Sequence, residues 1–178
     1  MKNLIDSIYS WLHTFESIPK AAIITEIECD FDHRKYSESK LGIQARDSLM
    51  LFTVTGSLSE TSSLHIKAKF IVTKDLPKGR MHFGHGGTFS IEIDQINDFL
   101  TRVNDSNPIH RNDFPVVPGL MILEHYLNHV PTDKGRLSIR FRQPLLAGTG
   151  FNYVYDEETL TIEADETIIA TISYNQGE

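Results

Sequence analysis

The chain has 178 residues, 40% hydrophobic and 23% charged, enough for one domain or two small packed halves of ordinary globular composition. Its formal charge is −7, with seven acids and no Lys or Arg in residues 143–178, so residues 1–142 balance 17 bases against 24 − 7 = 17 acids. An acidic end on a balanced remainder argues against nucleic-acid binding, which needs a basic surface to displace counterions; no apolar run approaches the roughly 18 residues of a membrane span.

Residues 1–15 lack the apolar core and cleavage site of a secretory signal, and Cys29 has no second cysteine to pair with. Both set a cytoplasmic expectation. Leu4, Ile8, Trp11, Leu12 and Phe15 recur at helical steps and predict an amphipathic helix over 3–17, stopped by Pro19. Strands are expected over about 21–31, 48–58 and 63–73, with the polar stretch 32–47 as a long loop. Gly and Pro punctuate 75–88 and mark the best boundary in the chain, dividing it into 1–87 and 88–178. His82 and His85 in this stretch lack a third metal ligand, and its glycines fit no phosphate loop, so it reads as a flexible connection.

The second part begins with an expected short strand, 88–93, and a helix, 94–103, whose Ile96, Phe99, Leu100 and Val103 share a face. A second helix is expected from about Gly119 to Val130. It is apolar on nearly every side, so protein must surround it. Strands close the chain over about 136–142, 150–156, 159–164 and 167–174. Leu137, Ile139 and Phe141 oppose Arg136, Ser138, Arg140 and Arg142 in the first, and Ile168, Ala170, Ile172 and Tyr174 share a face in the last. One-sided strands beside an apolar helix have a common solution, an antiparallel sheet wrapped around the helix. The three arginines read as a solvated face, with phosphate binding as the lesser alternative.

Polar chemistry concentrates between the two helices. Asp105 and His110 flank Asn107-Pro108, a turn-forming pair that can bring carboxylate and imidazole together. Pro118-Gly119 opens the apolar helix, whose first amides have no helical acceptor and can meet negative charge. Glu124 stands on that helix almost without polar company and needs a partner, a proton or a cavity. His125 and His129 are one helical turn apart but lie in no H-E-x-x-H motif, and read as interface or core residues.

Asp105-Ser106-Asn107-Pro108-Ile109-His110 resembles the D-x-N-P-x-H motif of MaoC-like (R)-specific enoyl-CoA hydratases. The continuation through Pro115-Val116-Val117-Pro118-Gly119 to Glu124, 14 residues after His110, is similar to the 3-hydroxyacyl-ACP dehydratases. The resemblance spans about 88–175 and is a hybrid: Asn104 stands where the MaoC-like motif usually has Gly, and Arg111-Asn112-Asp113-Phe114 replaces the dehydratases' F-P-G-H continuation. It implies an α+β hotdog fold, as a double hotdog with a degenerate 1–87 half or as one hotdog with an N-terminal extension. It further implies His110 as the central catalytic residue, with Asp105 or Glu124 as its acidic partner. Asn107, Gly119 and Leu120 are the implied substrate-side residues. The activity expected is hydration and dehydration of acyl thioesters on CoA or ACP, needing no metal or redox cofactor. Thioester hydrolysis and non-catalytic acyl-thioester binding are the alternatives. A double hotdog is expected to act as a monomer, a single one as a homodimer.

Overall fold

Antiparallel strands account for most of the regular structure. The computed structural model describes residues 22–32, 38–46, 49–59, 62–72, 87–130, 134–156 and 159–176, with side chains for 23–28, 87–130, 135–156 and 159–175. The expected 3–17 helix and the His82/His85 stretch lie outside these residues. The strands are β1 (Ala22–Asp32), β2 (Glu38–Arg46), β3 (Leu49–Ser59), β4 (Ser62–Val72), β5 (Lys134–Phe141), β6 (Asn152–Asp156), β7 (Thr159–Ala164) and β8 (Thr167–Gln176). They form one sheet in the order β2-β3-β4-β1-β5-β8-β7-β6. β1 joins the two parts of the chain, because it pairs antiparallel with β4 on one side and with β5 on the other.

The helices are α1 (Ile93–Val103) and α2 (Gly119–His129), with a short 3₁₀ turn at Pro108–His110 between them. α1 buries Ile96, Phe99, Leu100 and Val103, the four residues its periodicity predicted. Leu120, Ile122, Leu123 and Tyr126 of α2 join one core with Ile27 of β1, Leu137 and Ile139 of β5, Leu160 and Ile162 of β7, and Ala170 and Ile172 of β8. The sheet therefore shares its apolar face with the helix, and Arg136 and Arg140 point the other way into solvent.

Three expectations are corrected. Residues 32–47 are not all loop: β2 occupies 38–46 and pairs with β3 from Glu38↔Ser57 to Arg46↔Leu49. A neighbouring strand supplies hydrogen-bond partners that outweigh the segment's polar composition, and the two-residue Asp47-Ser48 connection lacks the Asn-Gly type signal of tight hairpins. Residues 88–93 do not form a strand; only Phe89 bridges, to Phe151, and the chain enters α1 at Ile93. In β8 the pairing passes from Ile162↔Ala170 to Glu163↔Ile168, leaving Ile169 as an extra residue. This bulge turns Ile169 inward (3% exposed) and Ile168 outward (44%), against the simple alternation.

Gly87 has a role its loop-like surroundings hid. A Cβ there would sit 2.0 Å from the Phe151 amide nitrogen. Only a residue without a side chain lets the backbone close on Gly150-Phe151, beside the two Phe89–Phe151 hydrogen bonds of 3.0 and 2.8 Å.

Candidate active site

The segment that leaves α1 turns at once. Asn104 adopts a left-handed conformation, φ 53°, and the Asp105 amide donates back to the Leu100 carbonyl at 2.9 Å. Asparagine tolerates this geometry better than most residues, which explains how it can stand at a left-handed turn.

Each following residue fixes the next. The Asn107 amide donates to Asp105 Oδ1 at 2.8 Å, closing a turn. The Ile109 amide donates to Asn107 Oδ1 at 3.2 Å, capping the 3₁₀ turn, and Pro108 sits where no amide donor is needed. Ile109 is 1% exposed and anchors the turn in apolar surroundings. The Val116 amide donates to the Ile109 carbonyl at 3.1 Å. Residues 115–117 are tied to 145–147 by Val117 N–H to Leu145 O and Ala147 N–H to Pro115 O.

His110 is buried, 8% exposed, between these tethers. Its Nδ1 lies 2.6 Å from the Val116 carbonyl oxygen. A carbonyl only accepts, so Nδ1 carries the proton and Nε2 of the neutral ring presents a lone pair. Nε2 faces Asp105 Oδ2 at 3.9 Å. Burial lowers the His110 pKa below its ordinary 6.5; the Val116 carbonyl and the Asp105 charge act upward, and Arg111 acts downward. Arg111 also donates from Nη2 to the Asp105 carbonyl at 2.7 Å, a contact between the two ends of the loop that sequence reading missed.

Asp105, Asn107 and His110 thus meet in one hydrogen-bonded loop. Glu124 has a different neighbour: its Oε2 lies 2.5 Å from Arg102 Nη2, tying α2 to α1. That guanidinium also lies 5.2 Å from the centre of the Phe99 ring. Leu120 is 2% exposed and belongs to the core cluster. At Gly119 a Cβ would meet Phe141 ring carbons at 3.2 Å and Ile24 Cβ at 3.5 Å, so close packing alone favours glycine there. The Pro118 carbonyl accepts from Met121 and Ile122, the first amides turned into the helix; those of Gly119 and Leu120 precede them. Val116, which holds the imidazole, is three residues before Gly119, a span of at most about 11 Å.

A second polar group sits farther along α2. His125 and His129 stack with centroids 4.1 Å apart, His125 Nδ1 meets Tyr153 Oη at 2.7 Å, and Phe89 and Phe151 pack around His125. Burial, then the neighbouring His129, lowers the His125 pKa to about 4. Burial, then Tyr155 and Tyr174, raises that of Tyr126 to about 12. His125 is thus a half-buried packing residue in an aromatic cluster, outside the core proper. Arg140 is exposed on the outer sheet face, with Nε 3.4 Å from Oε1 of the buried Glu26. Among the described residues no three His, Cys, Asp or Glu side chains gather as metal ligands. No helix among them is long and apolar enough to cross a membrane.

No protein-family model and no curated protein matches the sequence. Solved structures do. HtdX from Mycobacterium tuberculosis superposes with a TM-score of 0.68 over 97% of this chain and 84% of its own, at 17% identity. A MaoC-like dehydratase from Phytophthora capsici gives 0.54 over 90% and 72%, at 12% identity. An acyl-ACP thioesterase from Bacteroides thetaiotaomicron gives 0.51 over 86% and 75%, at 8% identity. The chain has an α+β hotdog fold, as its likeness to MaoC-like proteins implied. The similar structures include both dehydratases and thioesterases.

Proposed function

We propose that the chain is an acyl-thioester hydratase/dehydratase, interconverting trans-2-enoyl and (R)-3-hydroxyacyl thioesters carried on CoA or on the phosphopantetheine of ACP. One observation carries the reading: two hydrogen-bond acceptors, His110 Nε2 and Asp105 Oδ2, face each other across 3.9 Å. That is too far for a direct hydrogen bond, and neither atom has a proton to give the other. A molecule with two donors satisfies both. A water oxygen about 2.8 Å from each atom subtends an angle of about 90°, within reach of water geometry.

In the hydration direction this water loses a proton to the pair as its oxygen bonds C3. The double-bond electrons move toward the thioester carbonyl, and a proton returned from the pair bonds C2. The pair ends with the protons it began with, and dehydration is the reverse. The low His110 pKa keeps the ring neutral, and so able to accept a proton, at neutral pH. The Gly119 and Leu120 amides at the start of α2 are the donors we assign to the enolate-like oxygen. The reaction is redox-neutral and consumes only water, so it calls for no cofactor. In this reading Glu124 braces the two helices rather than taking part, and residues 1–87 are a degenerate half whose strands continue the sheet through β1.

The test is a purified-protein assay that follows the absorbance of the conjugated enoyl thioester, on CoA and ACP carriers of several chain lengths. Loss of absorbance that vanishes in His110→Ala supports the proposal. Release of free thiol instead identifies hydrolysis, and saturable binding without product identifies a binding protein; either result sinks it.

A further inference from the structure

We propose that Arg111 is a positioning residue that holds Asp105 in reach of His110 by clamping the Asp105 backbone from the far end of the same loop; the inference rests on the proposed reaction. Three polar groups of Asp105 are held by the chain around it. Its amide donates to Leu100 O, its Oδ1 accepts from the Asn107 amide, and its carbonyl accepts from Arg111 Nη2 at 2.7 Å. The remaining oxygen, Oδ2, is the one that faces the imidazole.

The first two contacts are local, made with neighbours five residues before and two after. Neither of them holds the Asp105 carbonyl. The third comes from across the loop. His110 is fixed from behind by Val116, and Arg111 is the next residue, so the clamp ties Asp105 to the residue that follows the ring. Arg111 is exposed, and ordering an exposed arginine costs side-chain entropy, a cost its bond to the Asp105 carbonyl works against. Asp105 and Arg111 are also the two charged groups that act on the imidazole, with opposite signs.

Arg111→Met removes donor and charge and keeps the stem, whereas Arg111→Lys keeps the charge and gives up the forked geometry. Each is compared with the wild type by steady-state hydration kinetics and, without substrate, by NMR of the His110 ring and of the backbone amides. A displaced acid group costs about 10- to 100-fold, so Arg111→Met is expected to lose this much in kcat, with KM within about twofold. Its Asp105 and His110 amide signals move, and the His110 titration midpoint shifts, because a charge opposing protonation is gone while the Asp105 charge that favours it is displaced. Arg111→Lys moves the midpoint back toward the wild-type position and restores part of kcat. Two results overturn the proposal: Arg111→Met with kcat within about twofold of wild type and unmoved signals, or a rise in KM alone, which would place Arg111 against substrate. If the wild type turns over no enoyl thioester but the Asp105 signals move in Arg111→Met and return toward wild type in Arg111→Lys, the clamp stands and only the assigned reaction falls.

Discussion

Exchanging Asp105 for asparagine removes a charge while leaving the loop its hydrogen bonds. The Asn107 amide needs an acceptor 2.8 Å away, so the amide oxygen takes the Oδ1 position and the NH₂ group takes that of Oδ2, 3.9 Å from His110 Nε2. A donor then faces the imidazole lone pair, and the two-acceptor arrangement that seats a water is lost. Loss of one member of an acid–base pair costs about 10²- to 10⁴-fold, or about 3–5 kcal/mol of transition-state stabilisation, and the loss should fall on kcat. Folding stability should change by less than about 0.5 kcal/mol, because every loop bond survives. Asp105→Ala also gives up the bond to Asn107 and should lose about a further 0.5–1.5 kcal/mol. Hydration kinetics and urea denaturation on the same preparations separate the two effects. A folded Asp105→Asn protein within about threefold of wild-type kcat would refute the reasoning.

Glu124→Gln should reduce kcat far less than Asp105→Asn, because that carboxylate is engaged by Arg102. With the Arg102 side chain 40% exposed, the lost ion pair should cost no more than about 1 kcal/mol in denaturation; a hundredfold fall in kcat would return Glu124 to the reaction. His125 makes stability depend on pH. Its folded pKa of about 4 lies below the ordinary 6.5, so its contribution is complete above 6.5 and is lost as pH falls through about 4. That gap represents at most about 3 kcal/mol, which partial exposure reduces to about 1–2. Denaturation at pH 7 and pH 4 should show the wild type losing this much more than His125→Phe, and equal losses would count against the assignment.

Elements whose character depends on near neighbours are legible in the order of the amino acids. The buried faces of α1 and α2 and the one-sided β5 follow from side-chain periodicity, because a repeat of 3.6 or 2 places apolar groups on one side whatever the rest of the chain does; α2 is not enclosed on every side as expected, since Asn128 and His129 are exposed. The loop from Asp105 to His110 is legible for the same reason: its turn bonds join residues two or three apart. β2 is not, because a strand needs a partner, and β3 decides it. The bulge at Ile169 is not, because a local alternation carries no record of the register across the sheet.

The site divides along the same line. From sequence, either Asp105 or Glu124 can be the acidic partner of His110, since each is a carboxylate at a plausible spacing, and Asp105 is favoured over Glu124 for a catalytic role. The packing of α1 against α2 brings Arg102 to Glu124 across 22 residues of chain, and the tether of His110 Nδ1 to Val116 leaves Nε2 toward Asp105. Composition, periodicity and motif thus determined the architecture and the residue types available for chemistry. Which of them face one another was decided by tertiary packing, because the distance between groups on different elements depends on how those elements dock.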